Sequence, residues 1–193
     1  MTNPFGQAIV YLIQVVFGLY ILAVMLRFLF QLVRADFYNP ISQAIVKITN
    51  LPLIQLRRLI PGLWGVDLAS VALLLALQGL ETFLVVLIEY GHAAHPWGLL
   101  VLSLAQLLRM VTYIIFAAVI IRIVISWINP AAGYNPVVGL LTSLTEPLMR
   151  PARQLIPPIG GLDISPVAVL IALRLIQIVL IDPLGQIGIA LLK

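Results

Sequence analysis

YNPISQAIVKITNLPLIQLRRLIPGLWGVDLASVA, residues 38–72, is met again 96 positions downstream as YNPVVGLLTSLTEPLMRPARQLIPPIGGLDISPVA, residues 134–168. The two stretches run without a gap. Thr49 meets Thr145, Arg57 meets Arg153, Leu59-Ile60-Pro61 meets Leu155-Ile156-Pro157, Gly65 meets Gly161, and Asp67 meets Asp163. Upstream, one inserted residue shifts the offset to 95 and pairs Arg27 with Arg122. Agreement in register on residue types this uncommon marks a tandem duplication. The duplication divides the chain into a first repeat, 1–96, and a second, 97–193.

Apolar runs lie on either side of each repeated stretch. They cover about Ala8 to Val33, Leu68 to Glu89, a part of Trp97 to Ile128, and Ile164 to Leu192. A membrane span needs about 20 apolar residues at ~1.5 Å rise each, so each run is long enough to cross. The third is over-long, and its first turns are expected to tilt or lie in the interface. The fold class is therefore all-α: a polytopic membrane protein of four transmembrane helices, built as two span–amphipathic segment–span units. Composition agrees. The chain has 62% hydrophobic and 9% charged residues and a mean hydropathy of +1.14, too little polar surface to coat a water-soluble globule of 193 residues. Met1 to Phe5 carries no Lys or Arg, and the following apolar run outlasts a signal h-region, so the N-terminal stretch reads as a span and not as a cleaved signal. With no cysteine, thiolate metal sites, disulfides and Cys nucleophiles are excluded.

The segments Asn39 to Pro61 and Asn135 to Pro157 differ from the spans. Apolar residues recur at helical spacing, prolines interrupt them, and Lys47, Arg57, Arg58, Arg150 and Arg153 supply charge. That pattern predicts helices lying on the membrane surface, or loop helices packed on their neighbours. The loop between spans two and three, around Glu89 to His95, has no Lys or Arg. The positive-inside rule then places both basic segments in the cytoplasm and both termini outside; Arg109 and Lys193 dissent weakly. The net charge of +4 belongs to this flanking pattern, which points to anionic lipid and not to direct nucleic-acid binding. Because each repeat holds two spans, the halves share an orientation and should be related by an axis along the membrane normal.

The pattern just described, YNP, a basic amphipathic stretch and RxLIPxxGGLDISP, resembles the YggT (YlmG) family of bacterial inner-membrane proteins. The second repeat carries the fuller motif: Tyr134, Asn135, Pro136, Glu146, Pro147, Pro151, Arg153, Pro157, Gly160, Gly161, Asp163, Ser165 and Pro166. The first is degenerate, with Trp64-Gly65 for the double glycine and Ala69-Ser70 for Ser165-Pro166. The resemblance implies a bacterial inner-membrane location and a loose connection to osmotic stress, ion homeostasis and cell division, with cytochrome assembly and nucleoid distribution among chloroplast relatives. It implies no defined biochemical activity.

Physically, Gly160-Gly161 can turn the backbone through positive φ, and Asp163 or Ser165 can cap span four with Pro166 in its first turn. Asp67 is placed to cap span two. The alternative is that Asp67 and Asp163, near Arg57 and Arg153, form polar clusters that dock a lipid or protein partner. Within the spans lie Gln14, Gln78, Glu81, Arg109, Arg174 and Gln177. Charges at membrane depth are costly and usually pair. From Asp67 to Glu81 is about 21 Å of helix, from Arg122 back to Arg109 about 20 Å, and from Asp163 to Arg174 about 16 Å, at ~1.5 Å per residue. These depths predict one polar layer with Glu81 between Arg109 and Arg174, either as an inter-helix tie or as a path for an ion or osmolyte. His92, His95 and Glu89 form at most a weak metal motif, and Asp182-Pro183 should kink or end the fourth span's ladder. No HExxH, GxSxG, P-loop or GxGxxG is present, and no cofactor is expected. Two functions remain: a non-enzymatic membrane factor recruiting lipid or protein partners in assembly, division or stress adaptation, or a small channel or transporter for an ion or osmolyte, working as a homo-oligomer.

Overall fold

The computed structural model of the protein describes residues 4–63, 65–91, 93–128, 135–156 and 163–192. The helices are α1 (Pro4–Leu32), α2 (Pro40–Leu59), α3 (Leu68–Tyr90), α4 (Pro96–Ile128), α5 (Pro136–Leu155), α6 (Ser165–Ile176) and α7 (Asp182–Ala190), with a π-helical turn, Gln177–Ile181, joining the last two. The described residues contain no β-strand; one isolated bridge pairs Leu63 with Val66 before α3. Trp64, His92, Tyr134, Pro157, Gly160, Gly161 and Lys193, among the residues read above, lie outside the described ones.

α1, α3, α4 and the α6–α7 helix are the four helices long and apolar enough to cross a membrane. Between 17% and 28% of each span's most apolar window is buried against the rest of the chain, so most of each apolar surface faces outward. Leu12, Val16 and Leu19 on α1, and Val179 and Leu180 after α6, are all more than half exposed. That is stable where the solvent is hydrocarbon. Inside, Ile21, Val24, Met25 and Leu29 of α1 pack with Leu53 of α2, Ala69, Leu73 and Leu74 of α3, Leu107 of α4, and Leu140 and Leu144 of α5. A smaller cluster joins Val119, Met149, Val169 and Leu173 of the second repeat.

The repeated YNP is a helix start in both copies. Asn39 accepts the Ile41 amide at 3.0 Å and Asn135 the Val137 amide at 2.9 Å, with Pro40 and Pro136 as first helical residues. The side chain thus satisfies an amide that the helix leaves orphaned, and proline gives up none that was needed. The Asn39 amide group also donates to the Pro136 carbonyl at 2.7 Å, which fastens α2 to α5 at the same end of the bundle. Pro52 and the pair Pro147 and Pro151 sit inside continuous helices.

The Asp182-Pro183 step does interrupt the ladder of span four, but the chain crosses it. The Asp182 amide reaches back to the Gln177 carbonyl. This wider π turn accommodates a ring that would otherwise crowd the preceding turn. α7 then lies close on α4, where two glycines are required. A Cβ at Gly188 would come within 2.7 Å of the Leu102 backbone nitrogen, and one at Gly98 within 2.6 Å of the Leu191 carbonyl.

Candidate functional site

At the end of the bundle that carries α2 and α5, each repeat builds the same polar clasp. In the first, the buried guanidinium of Arg27 reaches from α1 to Thr49 Oγ1 at 2.9 Å, to the Val46 carbonyl at 3.3 Å and to Asn50 Oδ1 at 3.4 Å. In the second, Arg122 reaches from α4 to Thr145 Oγ1 at 2.8 Å. Each threonine is fully buried and donates its hydroxyl to its own helix, Thr49 to the Ile45 carbonyl and Thr145 to the Leu141 carbonyl. Its oxygen is thereby aimed at the arginine. A transmembrane helix is thus tied to an amphipathic one twice over.

A second tie closes each clasp. Arg57 donates to Asp67 Oδ2 through Nη2 at 2.6 Å and Nε at 3.2 Å, and Ser70 donates to the same oxygen at 2.6 Å. Arg153 donates to Asp163 Oδ2 at 3.0 Å. Asp163 Oδ1 accepts the Ser165 amide at 2.9 Å, so the expected cap of span four is present. The expected cap from Asp67 is not. Its side chain makes no cap hydrogen bond of full geometry; Oδ2 instead takes Arg57 and the Ser70 hydroxyl, where the second repeat has Pro166, and the Ser70 backbone amide is only near enough to help lower the carboxyl. Burial alone would raise the carboxyl of Asp67, but the bonds from Arg57 and Ser70 outweigh it and hold the group below its ordinary value. For Asp163 burial again opposes, and Ser165 and Arg153 again prevail.

The copies differ at position 50. Its counterpart Glu146 bridges Arg122 and Arg153, at 3.2 Å to each, where Asn50 offers only an amide oxygen. Lys47, Arg58 and Arg150 are exposed and, among the described residues, have no carboxylate within ion-pair distance.

The single mid-membrane layer does not form. Glu81 accepts from Gln78 Nε2 at 2.6 Å and makes no ion pair with Arg109 or Arg174 among the described residues. Arg109 instead pairs with Asp182 at 2.9 Å. Arg174 donates to Gln177 Oε1 at 3.0 Å, and Gln177 donates to Thr112 at 2.6 Å. Depth along a helix carries no information about which side of α4 a residue faces. α4 packs against both α3 and α7. Gln106 accepts from Thr82 on α3 at 2.9 Å, while Arg109 meets the carboxylate carried by the span after the π turn. Gln14 lines a cleft of about 290 Å³ with Glu81, Thr82 and Gln106. The residues missed were Asp182, read only as part of a helix breaker; Gln106, a mid-span amide of the same kind as Gln14, Gln78 and Gln177; and Thr82 and Thr112, whose type is common in any span. His95 contributes its backbone amide to the Leu192 carbonyl at 3.3 Å. No group of three or more metal-ligating side chains occurs among the described residues.

Comparison with known proteins places this geometry in context. Residues 6–88 and 101–184 match the CCB3/YggT family, one segment in each repeat. An uncharacterised protein of Pseudomonas aeruginosa is 43% identical over 181 residues, covering 93% of this chain and 91% of the relative. One from Vibrio alginolyticus is 38% identical over 92% of this chain and 95% of its own length. The uncharacterised protein YggT of Escherichia coli is 30% identical over 94% of both. No solved structure matches.

Proposed function

The chain belongs to the CCB3/YggT family, and from that premise we propose that it is a non-enzymatic factor of the bacterial inner membrane whose basic cytoplasmic face gathers anionic lipid and protein partners. In this role it assists membrane-complex assembly, cell division or adaptation to osmotic and ionic stress. One observation carries the reading. The clasps engage Arg27, Arg57, Arg122 and Arg153 in holding α2 and α5 to the spans, while Lys47, Arg58 and Arg150 are exposed and, among the described residues, without ion-pair partners. Charges that do not serve the fold are available to a surface of opposite sign, at about 1 kcal/mol each near an anionic leaflet.

Lys47→Gln, Arg58→Gln and Arg150→Gln together leave every clasp intact. The triple variant should insert normally and retain less acidic lipid through purification, by roughly tenfold or more in affinity if each charge contributes as above. Undiminished retention would reduce these residues to topology signals.

A second reading, an oligomeric channel for an ion or osmolyte, draws on Glu81. Its carboxylate sits within a span beside a polar cleft and has a neutral partner, Gln78. Four helices enclose little space, so this reading needs several copies. Flux through reconstituted liposomes separates the two.

A further inference from the structure

The two clasps carry very different charge. In the second repeat the guanidiniums of Arg122 and Arg153 face the carboxylates of Glu146 and Asp163. In the first, Arg27 and Arg57 are joined by Arg34, and among the described residues Asp67 is the one carboxylate in ion-pair contact with any of the three. Asn50 replaces the bridging glutamate, and Arg34 stands where the second repeat has Asn129 or Pro130, depending on where the inserted residue falls. Asp36 is near in sequence, but it accepts the Tyr38 amide and does not line the cavity described next.

Arg27, Arg34 and Arg57 all line a cavity of about 390 Å³ between α1 and α2, within the range of about 300–1,000 Å³ usual for small-molecule sites. Gln31 and Ser42 add polar groups, and Phe30, Phe37 and Val46 an apolar wall. Three features along it keep polar capacity that the fold does not fully use. Arg27 is 7% exposed and spends at most three of its five N–H donors, all on neutral oxygens. The Ser42 hydroxyl, on a residue 5% exposed, has no hydrogen-bond partner among the described residues. Its counterpart in the second repeat is Val138, which needs none.

Arg34 is the third. It occupies the left-handed position that ends α1, with φ +52°, where the Ala35 amide returns to the Phe30 carbonyl at 2.8 Å and the Arg34 amide to the Gln31 carbonyl at 3.1 Å. Glycine or asparagine is usual there, and a side chain with a bulkier Cβ substituent is strained. Arginine at such a place supplies a charge to the cavity mouth at the expense of stability.

We infer that this cavity is an anion site, built by divergence of the first repeat, that binds a phosphoryl group through Arg27, Arg34, Arg57 and the Ser42 hydroxyl. The planar donors of arginine match phosphate oxygens in pairs. The phenylalanine wall suits the glycerol backbone and upper acyl chain that adjoin a phospholipid headgroup, and the donors would take a free phosphate ion as well. The inference rests on the basic-face reading above but involves different residues.

Two variants test it without dismantling the bundle. Arg34→Gly removes a charge and relieves the left-handed strain. Asn50→Glu installs the carboxylate of the second repeat beside Arg27 and removes no arginine. Delipidated protein in a non-ionic maltoside is melted against inorganic phosphate at constant ionic strength, and separately against short-chain phosphatidylglycerol with net-neutral phosphatidylcholine as control. Stabilisation by phosphate identifies the free ion as sufficient; stabilisation by phosphatidylglycerol alone identifies the headgroup. Either result supports the site, provided both variants need roughly ten times more ligand or more while melting, without ligand, no lower than the native protein. The triple variant Lys47→Gln, Arg58→Gln, Arg150→Gln should retain this binding, which separates failure of the face from failure of the cavity. No stabilisation by either ligand, or an equal effect in the native protein and both variants, overturns the inference.

Discussion

Asp67 and Asp163 are one residue in two copies, yet their surroundings give them different weight. The Asp67 side chain is 5% exposed and that of Asp163 43%, although each binds its arginine ten residues upstream. A buried carboxylate has no water to fall back on when its partners go, whereas an exposed ion pair is screened and contributes about 0–1 kcal/mol. Asp67→Asn should therefore cost about 1–3 kcal/mol at neutral pH, and Asp163→Asn less than about 1 kcal/mol. The sign of the pH effect follows from the lowered carboxyls. Their contribution is complete above the unfolded carboxylate value near 3.9 and is lost as pH falls through the lower folded one. Melting temperatures between about pH 6 and 2 should show an acid limb that Asp67→Asn flattens more than Asp163→Asn does. Equal flattening would mean that burial is not what distinguishes the two copies. Proximity of these aspartates to Arg57 and Arg153 was legible from the ten-residue spacing in both repeats. The Ser70 hydroxyl on Asp67 was not, because the direction of a serine hydroxyl is defined only in the folded chain.

Helices are held together here by close approach. In hydrocarbon there is no hydrophobic gain in bringing two apolar helices together, so small residues that let backbones touch carry much of the association. α4 and α7 meet at Gly98 and Gly188, where a Cβ would collide with main-chain atoms that cannot rotate away. Gly188→Ala should destabilise by about 1–3 kcal/mol, the usual cost of overpacking. Gly18→Ala on α1, with no atom within 4 Å of the added carbon, should be neutral or stabilising by up to about 1 kcal/mol through helix propensity. Thermal melting of the two variants beside the native protein checks the contrast, and a Gly188→Ala protein as stable as Gly18→Ala would mean that α7 can back away from α4. The extent of every span was readable from apolar length, and both amphipathic helices from their spacing. The π turn was not. Asp182-Pro183 announces a disturbance of the ladder, but whether the helix ends, bends or widens depends on packing against α4.

Over the whole molecule, the duplication set what could be read and what could not. Matching positions imply matching clasps, and Arg27 with Thr49 and Arg122 with Thr145 obey that rule. The mid-membrane polar groups obey it only within a helix: Gln78 binds Glu81 as Arg174 binds Gln177, whereas Arg109 goes to Asp182, a carboxylate whose counterpart in the first repeat is Val86. Orientation belongs to this scale too. α2 and α5 are joined at one end by Asn39 and the Pro136 carbonyl, so their lysine and arginines act on one side of the membrane. The turn after Tyr90 lies at the other end of α3 and carries no lysine or arginine. A four-span protein with this asymmetry should have its basic end in the cytoplasm and both termini in the periplasm. A phosphatase reporter after Lys193 should be active in the periplasm, and a fluorescent reporter inserted beside Gln154, exposed on α5, should mature in the cytoplasm. Arg109 does not oppose this arrangement, because Asp182 neutralises it within the bundle. Reporters that placed the terminus inside would turn the arginine-lined cavity and the exposed Lys47, Arg58 and Arg150 toward the periplasm. The anionic surface they meet would then be the outer leaflet of the same membrane, and cytoplasmic partners would be excluded.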